Sequence, residues 1–593
     1  MLKKSLLSGV MAVAVSASAG VSSLNGEFRN GQLFLRWSES DLAPDTRLSV
    51  WSSAEPISGK NLKSAKKIAK MLNINSARDW HLDIDSFVVK RSRKLKSEEI
   101  FAGNVAEKGV KKSASRGFII RDNGKPISPD GGLHVHTPKA GETGSRYYAV
   151  TTHKGSSDEI TGIAVTAKPV TVSTGKASPI AISGKWQKNY AKNMPLLITL
   201  HGRGGGVAVD RSGRPLGTHV IFVDSSLAWR EGIPFKFVAI KHKDYLEIRL
   251  FDRVWIGRKL TRKESGDSRD YVPAISTFWC GYNPNIAYSN TGPEFRFDNY
   301  TERYILHIIR WAQEFLGCDR NRTYITGGSM GGTGTIQMAT RFPEVFAAGA
   351  AYVPIYSFTW RKPARGGTSM ARLTCSTGFF TKNNPARLPD GTNLEDFASG
   401  ARNIDRPAVD MPPLIATNGR KDASIPWENN PEFYRAANRA RQMFSVYWND
   451  GNHGMTGQAP FDCRDLKQIF RYKLNESFPA FSNRSDNGNY GNGDPADGDI
   501  SGWINRGCQW QNIVDTKTRY EISLAVTYPG IKYPVSCDIT IRRRQNFLPA
   551  AGSTVAVSVN GKKQQITIDK NNLLTIRNIT FADGKPVKII CVK

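Results

Sequence analysis

One serine of this chain lies in a setting that would make it a nucleophile. Ser329 follows a short apolar strand pattern, is flanked by Gly327 and Gly331, and is followed by a helical pattern. A serine on a sharp strand-to-helix turn needs these glycines, because a side chain there would collide with the neighbouring strand or helix. The backbone N–H of Met330, at the start of the helix, can stabilise a developing negative charge. The pattern predicts attack on a carbonyl carbon.

Such a serine needs a base to take its proton and a third group to orient that base. His453 follows a strand pattern at 444–448, and Asp422 follows one at 413–417. Loops of this kind open at the carboxyl edge of a parallel sheet, where the serine also lies, so the three side chains are expected to meet there. Asp450 is the rival acid, but it is too near His453 on the same turn to reach the imidazole easily.

A second glycine-rich loop, His-Gly-Arg-Gly-Gly-Gly at 201–206, ends an apolar strand at 195–200. Loops of this type supply a second backbone N–H to the oxyanion of an acyl-transfer site. Arg203 is the candidate donor, with Gly204 next.

The elements that must position these residues alternate between strand and helix from 176 to 475, which predicts an α/β fold with a mostly parallel sheet. Two long irregular segments, 225–295 and 355–410, are expected to be lids or substrate walls. Three aromatic residues of the first segment could stack on a sugar ring or an aromatic acid, although large aromatic residues more often belong to a core. These candidate substrate-binding residues are Trp255, Trp279 and Tyr282.

The residues before this region, 20–175, have an all-β pattern. A Trp on an early strand and a Tyr-x-Val late strand resemble a fibronectin type III sandwich. A long insertion at 57–115 is rich in Lys and Arg and has helical periodicity around 65–72. It is either a contact for an anionic polymer or a solvated helical insert. His134 and His136 alternate on a strand without a third ligand, which is more typical of structural residues than of a metal site.

The residues after the α/β region divide into a linker and a small domain. Residues 476–507 are rich in Asn, Gly, Asp and Ser, which predicts a linker or an extended crossover; a calcium loop is the alternative. Residues 508–593 contain short alternating strands and are predicted to form a second β-sandwich. Of the seven cysteines, Cys537 and Cys591 lie on predicted strands of this domain and are the preferred disulfide pair.

The N-terminus has a basic start, a short apolar centre and small residues that end at Ala19. This pattern predicts a signal peptide at 1–19, and therefore a secreted or periplasmic protein in which disulfides can form. No later apolar run is long enough to predict a transmembrane segment.

The formal net charge of +30 indicates polyanionic surroundings, such as an acidic polysaccharide or an envelope surface. A generally basic, solvated surface is the simpler interpretation. Nucleic acid is not expected as a partner, since no motif of a nucleic-acid-binding fold supports it.

The serine turn Gly-Gly-Ser-Met-Gly-Gly, the His-Gly loop, and the Gly-Arg-x-Asp-x-x-Ile-Pro and Asn-His-Gly loops resemble those of secreted α/β-hydrolases. The similar families are the prolyl oligopeptidases, feruloyl esterases and polyhydroxyalkanoate depolymerases, and the resemblance covers roughly 190–470. It implies an α/β-hydrolase fold, the order Ser329, Asp422, His453, an acyl-enzyme mechanism, and neither a metal nor an organic cofactor. The propeller of prolyl oligopeptidases is replaced by a fibronectin-like front and a β-sandwich tail, which favours an esterase.

Three functional hypotheses follow. The first is an exported serine esterase that removes acyl groups from a polysaccharide, including an anionic one, or cleaves a polyester. The second is a serine peptidase of the same fold. The third is a basic surface-binding protein whose hydrolase core is only a scaffold, since a fold by itself does not imply a function.

Overall fold

A computed structural model of the 593-residue chain describes its N-terminal, central and C-terminal parts with gaps. The described residues are 20–29, 32–77, 120, 125, 127–128, 130–136, 143–155, 157–173, 180–181, 188–203, 218–222, 234–250, 252, 254–255, 274–283, 297, 299–361, 368–377, 380–388, 390–453, 466–494 and 496–593. The predicted signal peptide and residues 78–115 of the basic insertion lie outside them. Within the described ranges, no helix has the length and apolarity that a membrane crossing requires.

The N-terminal part consists of two antiparallel sheets that share one core. Its strands are β1 (Gly20–Arg29), β2 (Gln32–Ser40), β3 (Thr46–Ser53), β4 (Lys66–Asn73), β5 (Gly132–His136), β6 (Gly144–Lys154), β7 (Ile160–Val165) and β8 (Val170–Val172). One sheet has the order β1-β2-β5, and the other has the order β4-β3-β6-β7, with β8 beside β6. Leu35 from the first sheet meets Val50 and Val150 from the second in the shared core.

The stretch 65–72, for which the sequence predicts a helical insert, forms strand β4 instead. β4 pairs antiparallel with β3, with two register shifts along the pair. Such irregularities let a strand bury Ile68 and Leu72, whose spacing also fits a helix face. Lys67 lies over the ring of Trp51 with its ammonium 4.6 Å from the ring centroid. The hydrophobic spacing is ambiguous here, and pairing with β3 decides the outcome.

The central part contains one large sheet. The strands between 176 and 507 are β9 (Ile180–Ala181), β10 (Leu196–Leu200), β11 (Thr218–Phe222), β12 (Pro234–Lys241), β13 (Leu246–Leu250), β14 (Val254–Trp255), β15 (Ala274–Ile275), β16 (Thr323–Gly328), β17 (Ala348–Tyr352), β18 (Leu414–Gly419), β19 (Phe444–Asn449), β20 (Phe478–Ser482) and β21 (Gly502–Ile504). The sheet order is β21-β19-β18-β17-β16-β10-β13-β12-β11-β9. The strands from β19 to β13 run parallel to one another, and the pairs outside them are antiparallel.

Helices and apolar strands bury both faces of the parallel strands, as an α/β-hydrolase fold requires. The α-helices of the described ranges are α1 (Tyr300–Glu314), α2 (Met330–Arg341), α3 (Thr374–Thr377), α4 (Leu394–Phe397), α5 (Gly400–Ile404), α6 (Asn430–Arg439) and α7 (Lys467–Phe470). Short 3-10 turns occur at Leu62–Ser64, Arg320–Arg322, Met370–Leu373 and Trp427–Asn429. Every residue of β18 and β19 is buried. Glu302 of α1 and Arg341 of α2 form an ion pair in which the Glu302 side chain is fully buried.

The C-terminal part is built from two antiparallel sheets. Its remaining strands are β22 (Cys508–Asp515), β23 (Arg519–Val526), β24 (Val535–Arg542), β25 (Thr554–Val559), β26 (Lys562–Thr567), β27 (Leu574–Phe581) and β28 (Val587–Val592). One sheet has the order β20-β24-β27, and the other has the order β22-β23-β28-β25-β26.

The segment 476–507, which the composition predicts to be a linker, belongs to the folded units on either side. Strand β20 pairs with β24 of the C-terminal part, and β21 pairs with β19 at the edge of the central sheet. The polar residues of this segment are used in turns between the two strands. The composition is that of a loop, but tertiary pairing makes the segment structural.

The C-terminal part is joined to the central sheet by a continuous core and by arginines. One hydrophobic cluster contains Leu197 and Tyr324 of the central sheet together with Ile539 and Ile589 of the C-terminal sheets. Arg543 donates hydrogen bonds to the carbonyl oxygens of residues 347 and 473, at 3.2 and 3.0 Å. The two parts are therefore packed directly against each other and are not joined only by a flexible linker.

The predicted disulfide between Cys537 and Cys591 is absent. Both are free thiols, as are Cys280, Cys318 and Cys508 among the described residues. Cys537 lies on β24 and Cys591 on β28, in different sheets, and both are packed in the core as small apolar side chains. Burial raises the pKa of Cys591 to about 12, so its thiol stays protonated at neutral pH.

Candidate active site

Ser329 occupies the sharp turn between β16 and α2. Its backbone has a φ of +58° and a ψ of −120°, a conformation that costs energy for any residue with a side chain. A Cβ atom on Gly327 would lie 2.5 Å from the carbonyl carbon of Gly331, and one on Gly331 would lie 2.0 Å from the carbonyl oxygen of Leu200. The two glycines are therefore needed where the sequence places them, because β10, the turn and α2 approach one another closely.

The structure brings His453 and Asp422 to Ser329. His453 Nε2 is 2.8 Å from Ser329 Oγ, and His453 Nδ1 is 2.7 Å from Asp422 Oδ2. A carboxylate can only accept, so Nδ1 carries the hydrogen and Nε2 is left to accept the serine proton. The side chain of Asp422 is only 2% exposed, whereas that of His453 is 37% exposed. The acid is thus held inside and the base faces the open side of the site.

The loop after β18 fixes the orientation of Asp422. Its other carboxylate oxygen, Oδ1, accepts hydrogen bonds from the backbone N–H groups of Ser424 and Ile425, at 2.8 and 2.9 Å. A Cβ on Gly419 would lie 2.4 Å from the carbonyl oxygens of residues 451 and 452, so the acid loop and the histidine loop touch. This contact lets Asp422 reach across to His453 from a neighbouring strand.

The rival acid, Asp450, forms an ion pair with Lys421. Its Oδ2 lies 3.2 Å from the ammonium of Lys421, and both side chains are more than half exposed. The second long segment, 355–410, also contacts the acid loop, because Arg372 donates a hydrogen bond to the carbonyl oxygen of Ser424.

Of the three predicted oxyanion donors, the structure describes Met330 and Arg203. Met330 begins α2 and its side chain is buried. A Cβ on Gly202 would lie 3.3 Å from the carbonyl oxygen of Gly328 and 3.6 Å from Ser329 Cβ, so the loop after β10 passes directly beside the nucleophile. Arg203 follows in this loop, and its guanidinium carbon lies 5.5 Å from the ring centroid of Phe278. The other candidate of this loop, residue 204, lies outside the described residues.

The prediction that three aromatic residues bind substrate is wrong for two of them. Trp279 and Tyr282 are fully buried, so neither presents a ring face to a ligand. Trp279 packs against α2, where a Cβ on Gly334 would lie 2.6 Å from Trp279 Cβ. These rings fill the core beneath the site, as large aromatic side chains often do. Trp255 lies on β14, and its side chain is outside the described part.

Supports for the site that the sequence did not predict come from the segment 486–505. The guanidinium of Arg420, two residues before Asp422, donates to the carbonyl oxygens of Asp497 and Asp499, at 2.9 and 2.7 Å. The indole of Trp448, at the end of β19, also donates to the Asp499 carbonyl oxygen, at 2.9 Å. The turn thus holds the ends of both strands that carry the acid and the base, and its polar composition gave no sign of this role.

The metal alternatives gain no support. Among the described residues, no group of three or more His, Cys, Asp or Glu side chains could hold an ion. His134 is buried in the N-terminal core, and burial lowers its pKa well below the usual value.

Comparison with known proteins gives one family match. Residues 300–475 match the prolyl oligopeptidase family, and this range contains Ser329, Asp422 and His453. A search of the curated proteins finds no match to the chain.

Solved structures match parts of the chain at low identity. The chain is 12% identical to dipeptidyl peptidase 4 of Porphyromonas gingivalis, covering 55% of this chain and 42% of that one, with a TM-score of 0.29. It is 13% identical to esterase 2 of Thermogutta terrifontis, covering 50% of this chain and 84% of that one, with a TM-score of 0.26. It is 12% identical to an S-formylglutathione hydrolase from Agrobacterium tumefaciens, covering 57% of this chain and 93% of that one, with a TM-score of 0.29. The chain thus spans less than half of the length of the dipeptidyl peptidase. Ser329, Asp422 and His453 all lie within the family match over 300–475 and have the geometry of a serine hydrolase site, and the strands around them have the parallel order of an α/β-hydrolase sheet.

Proposed function

We propose that this protein cleaves carboxylic esters through an acyl-enzyme on Ser329. The observation that carries the proposal is the unbroken line of hydrogen bonds from Ser329 Oγ through the His453 ring to Asp422, at 2.8 and 2.7 Å. Nucleophile, base and orienting acid at these distances are the arrangement that acyl transfer requires.

In this mechanism His453 Nε2 takes the proton of Ser329 Oγ as the oxygen attacks the ester carbonyl. Asp422, buried and held by two backbone N–H groups, stabilises the imidazolium that forms. The N–H of Met330, with that of Arg203 or Gly204, stabilises the oxyanion. His453 then donates its proton to the leaving alcohol. A water molecule repeats the sequence and releases the acid, and no cofactor takes part.

The proposed substrate is an acylated polysaccharide, including an anionic one, or a polyester. The excess of 82 Lys and Arg over 52 Asp and Glu supports a polyanionic partner. We further propose export through residues 1–19. N-terminal sequencing of protein from the native host tests this, with Gly20 expected as the first residue and Met1 as the contradicting result.

The second candidate is a serine peptidase, which the prolyl oligopeptidase match over 300–475 favours. Both activities use the same three side chains, so the leaving group distinguishes them. Purified mature protein is tested on short-chain p-nitrophenyl esters and on aminoacyl p-nitroanilides. The variants are Ser329→Ala and, as a matched control, Ser64→Ala, an exposed serine of the N-terminal part whose hydroxyl donates to the carbonyl oxygen of Asn61.

We expect ester turnover in the wild type and in Ser64→Ala, and none in Ser329→Ala. Loss in Ser329→Ala, with full activity in Ser64→Ala, supports the esterase. Turnover of anilides alone would favour the peptidase. Ester turnover that survives in Ser329→Ala would contradict the mechanism, and no turnover of either class would favour the binding-protein hypothesis.

A further inference from the structure

A buried carboxylate outside the three catalytic side chains organises the region beside the nucleophile. Asp252 follows β13 and is fully buried. Its two oxygens accept from the Thr277 N–H at 3.0 and 3.2 Å, the Thr277 hydroxyl at 2.5 Å, the Ser276 hydroxyl at 3.0 Å and the Trp279 N–H at 3.2 Å. A charged carboxylate that accepts several hydrogen bonds is a strong local constraint.

This constraint holds the turn 276–279 in an unfavourable conformation. Phe278 and Trp279 have φ values of +52° and +62°, which are uncommon for residues with large side chains. Strain of this kind persists only where the surroundings impose it. Ser276, Thr277 and Trp279 of this turn all donate hydrogen bonds to Asp252, which helps to hold the turn in this conformation.

The turn and Asp252 together hold the loop that follows β10. The indole N–H of Trp279 donates to the His201 carbonyl oxygen at 3.1 Å, and the backbone N–H of Asp252 donates to His201 Nε2 at 2.8 Å. Because Nε2 accepts, Nδ1 of the neutral ring carries the hydrogen and donates to the Gly202 carbonyl oxygen at 2.7 Å. The peptide between Gly202 and Arg203 is therefore oriented from its oxygen side.

The same cluster contacts the other side of the proposed oxyanion site. Ser276 Oγ lies 2.6 Å from Met330 Sδ, at the first residue of α2. Asp252 thus lies one contact away from Met330 and from the Gly202–Arg203 peptide, the two backbone positions that flank Ser329.

We propose that Asp252 is a positioning residue that aligns the backbone donors of the oxyanion hole. Through Trp279 and His201 it orients the peptide that carries the Arg203 N–H, and through Ser276 it fixes Met330. This inference rests on the proposed acyl-transfer function. It makes Asp252 important for stabilising the transition state, and unimportant for binding the ground state or for the basicity of His453.

The test compares Asp252→Asn with the wild type in full-length protein. The amide keeps the size of the side chain but replaces one acceptor oxygen with an NH₂ donor, which then faces a backbone N–H that can only donate. We expect kcat to fall about 100- to 1000-fold, with a change in KM of less than about threefold. The affinity for a trifluoromethyl ketone, which forms an oxyanion on Ser329, should fall in parallel with kcat/KM. The pH dependence of kcat/KM should keep its midpoint, since His453 and Asp422 are untouched.

Two further variants keep the inference testable if Asp252→Asn folds poorly. Trp279→Phe keeps an aromatic ring in the core but removes the indole N–H that holds the His201 carbonyl, so we expect a loss of about tenfold in kcat. Asp538→Asn is the control for losing a buried carboxylate. Asp538 is 6% exposed and accepts from Asn578 N–H, but lies on β24. We expect it to lower the melting temperature and leave kcat unchanged.

Failure of this inference is distinguishable from failure of the proposed function. If the wild type turns over esters and a fluorophosphonate labels Ser329, but Asp252→Asn and Trp279→Phe keep kcat and inhibitor affinity, Asp252 is structural only. A rise in KM without a fall in kcat would also overturn the positioning role. A wild type that is neither labelled nor active would overturn both the proposed function and this inference.

Discussion

Replacing Asp422 by Asn should nearly abolish turnover while leaving the fold intact. The Asp422 Oδ1 position accepts two backbone N–H groups at 2.8 and 2.9 Å, so the single carbonyl oxygen of Asn is retained there. The amide NH₂ then faces His453 Nδ1, 2.7 Å away, and donates to it. The imidazole is forced into the tautomer with hydrogen on Nε2, which cannot accept the proton of Ser329.

A base in the wrong tautomer costs about 10⁴ in kcat in the Ser-His-Asp mechanism, which corresponds to about 5.4 kcal/mol of transition-state stabilisation. The hydrogen bonds that hold the loop survive, so we expect the melting temperature to fall by no more than about 4 °C. The assay is steady-state hydrolysis of a p-nitrophenyl ester with thermal unfolding alongside. Asp450→Asn is the matched control, since Asp450 pairs with exposed Lys421, and we expect a change of less than about twofold.

The reasoning is refuted if Asp422→Asn keeps more than about a tenth of the wild-type kcat, because wrong-tautomer losses are far larger. A large loss in Asp450→Asn, with Asp422→Asn active, would make Asp450 the acid in solution.

Three further perturbations test the supports of the site. Glu302→Gln leaves the buried Arg341 guanidinium without its counter-charge and should lower the unfolding free energy by about 3–5 kcal/mol, measured by urea denaturation; an unchanged midpoint would contradict this. Gly331→Ala places a Cβ 2.0 Å from the Leu200 carbonyl oxygen, so fluorophosphonate labelling of the serine should be lost; normal labelling would show that the turn can relax. Burial lowers the pKa of His134 below its unfolded value of about 6.5, so its contribution to stability is complete above that pH and is lost as the pH falls through it. Urea midpoints from pH 8 to 5 should fall more steeply for the wild type than for His134→Leu, and equal slopes would refute the assignment.

Some of the site follows from short stretches of sequence because the physics is local. A Cβ on Gly327 would lie 2.5 Å from the carbonyl group of Gly331, four residues away, and one on Gly331 would meet Leu200 of the neighbouring strand β10. The strand-turn-helix pattern that brings these atoms together is itself local. The positions of Asp422 and His453 after apolar strands likewise place them at the carboxyl edge of the sheet, whatever the details of packing.

Other features depend on partners that are distant in sequence. The helical spacing at 65–72 becomes a strand because β3 is available to pair with it. The loop-like segment 476–507 contributes one strand to each of two sheets. From the sequence, Trp279 and Tyr282 could be either binding or core residues, and only tertiary packing decides that both are buried, with Trp279 against α2.

The amino-acid sequence by itself determined the nucleophile, the order of the three catalytic candidates and the layered α/β fold, because each depends on local backbone geometry and hydrophobic periodicity. Only the tertiary structure decided which acid reaches His453 and that Asp252 lies behind the loop beside Ser329. It also decided that the turn at 486–505 holds the acid and base strands. These outcomes rest on contacts between residues far apart along the chain, which no short pattern encodes.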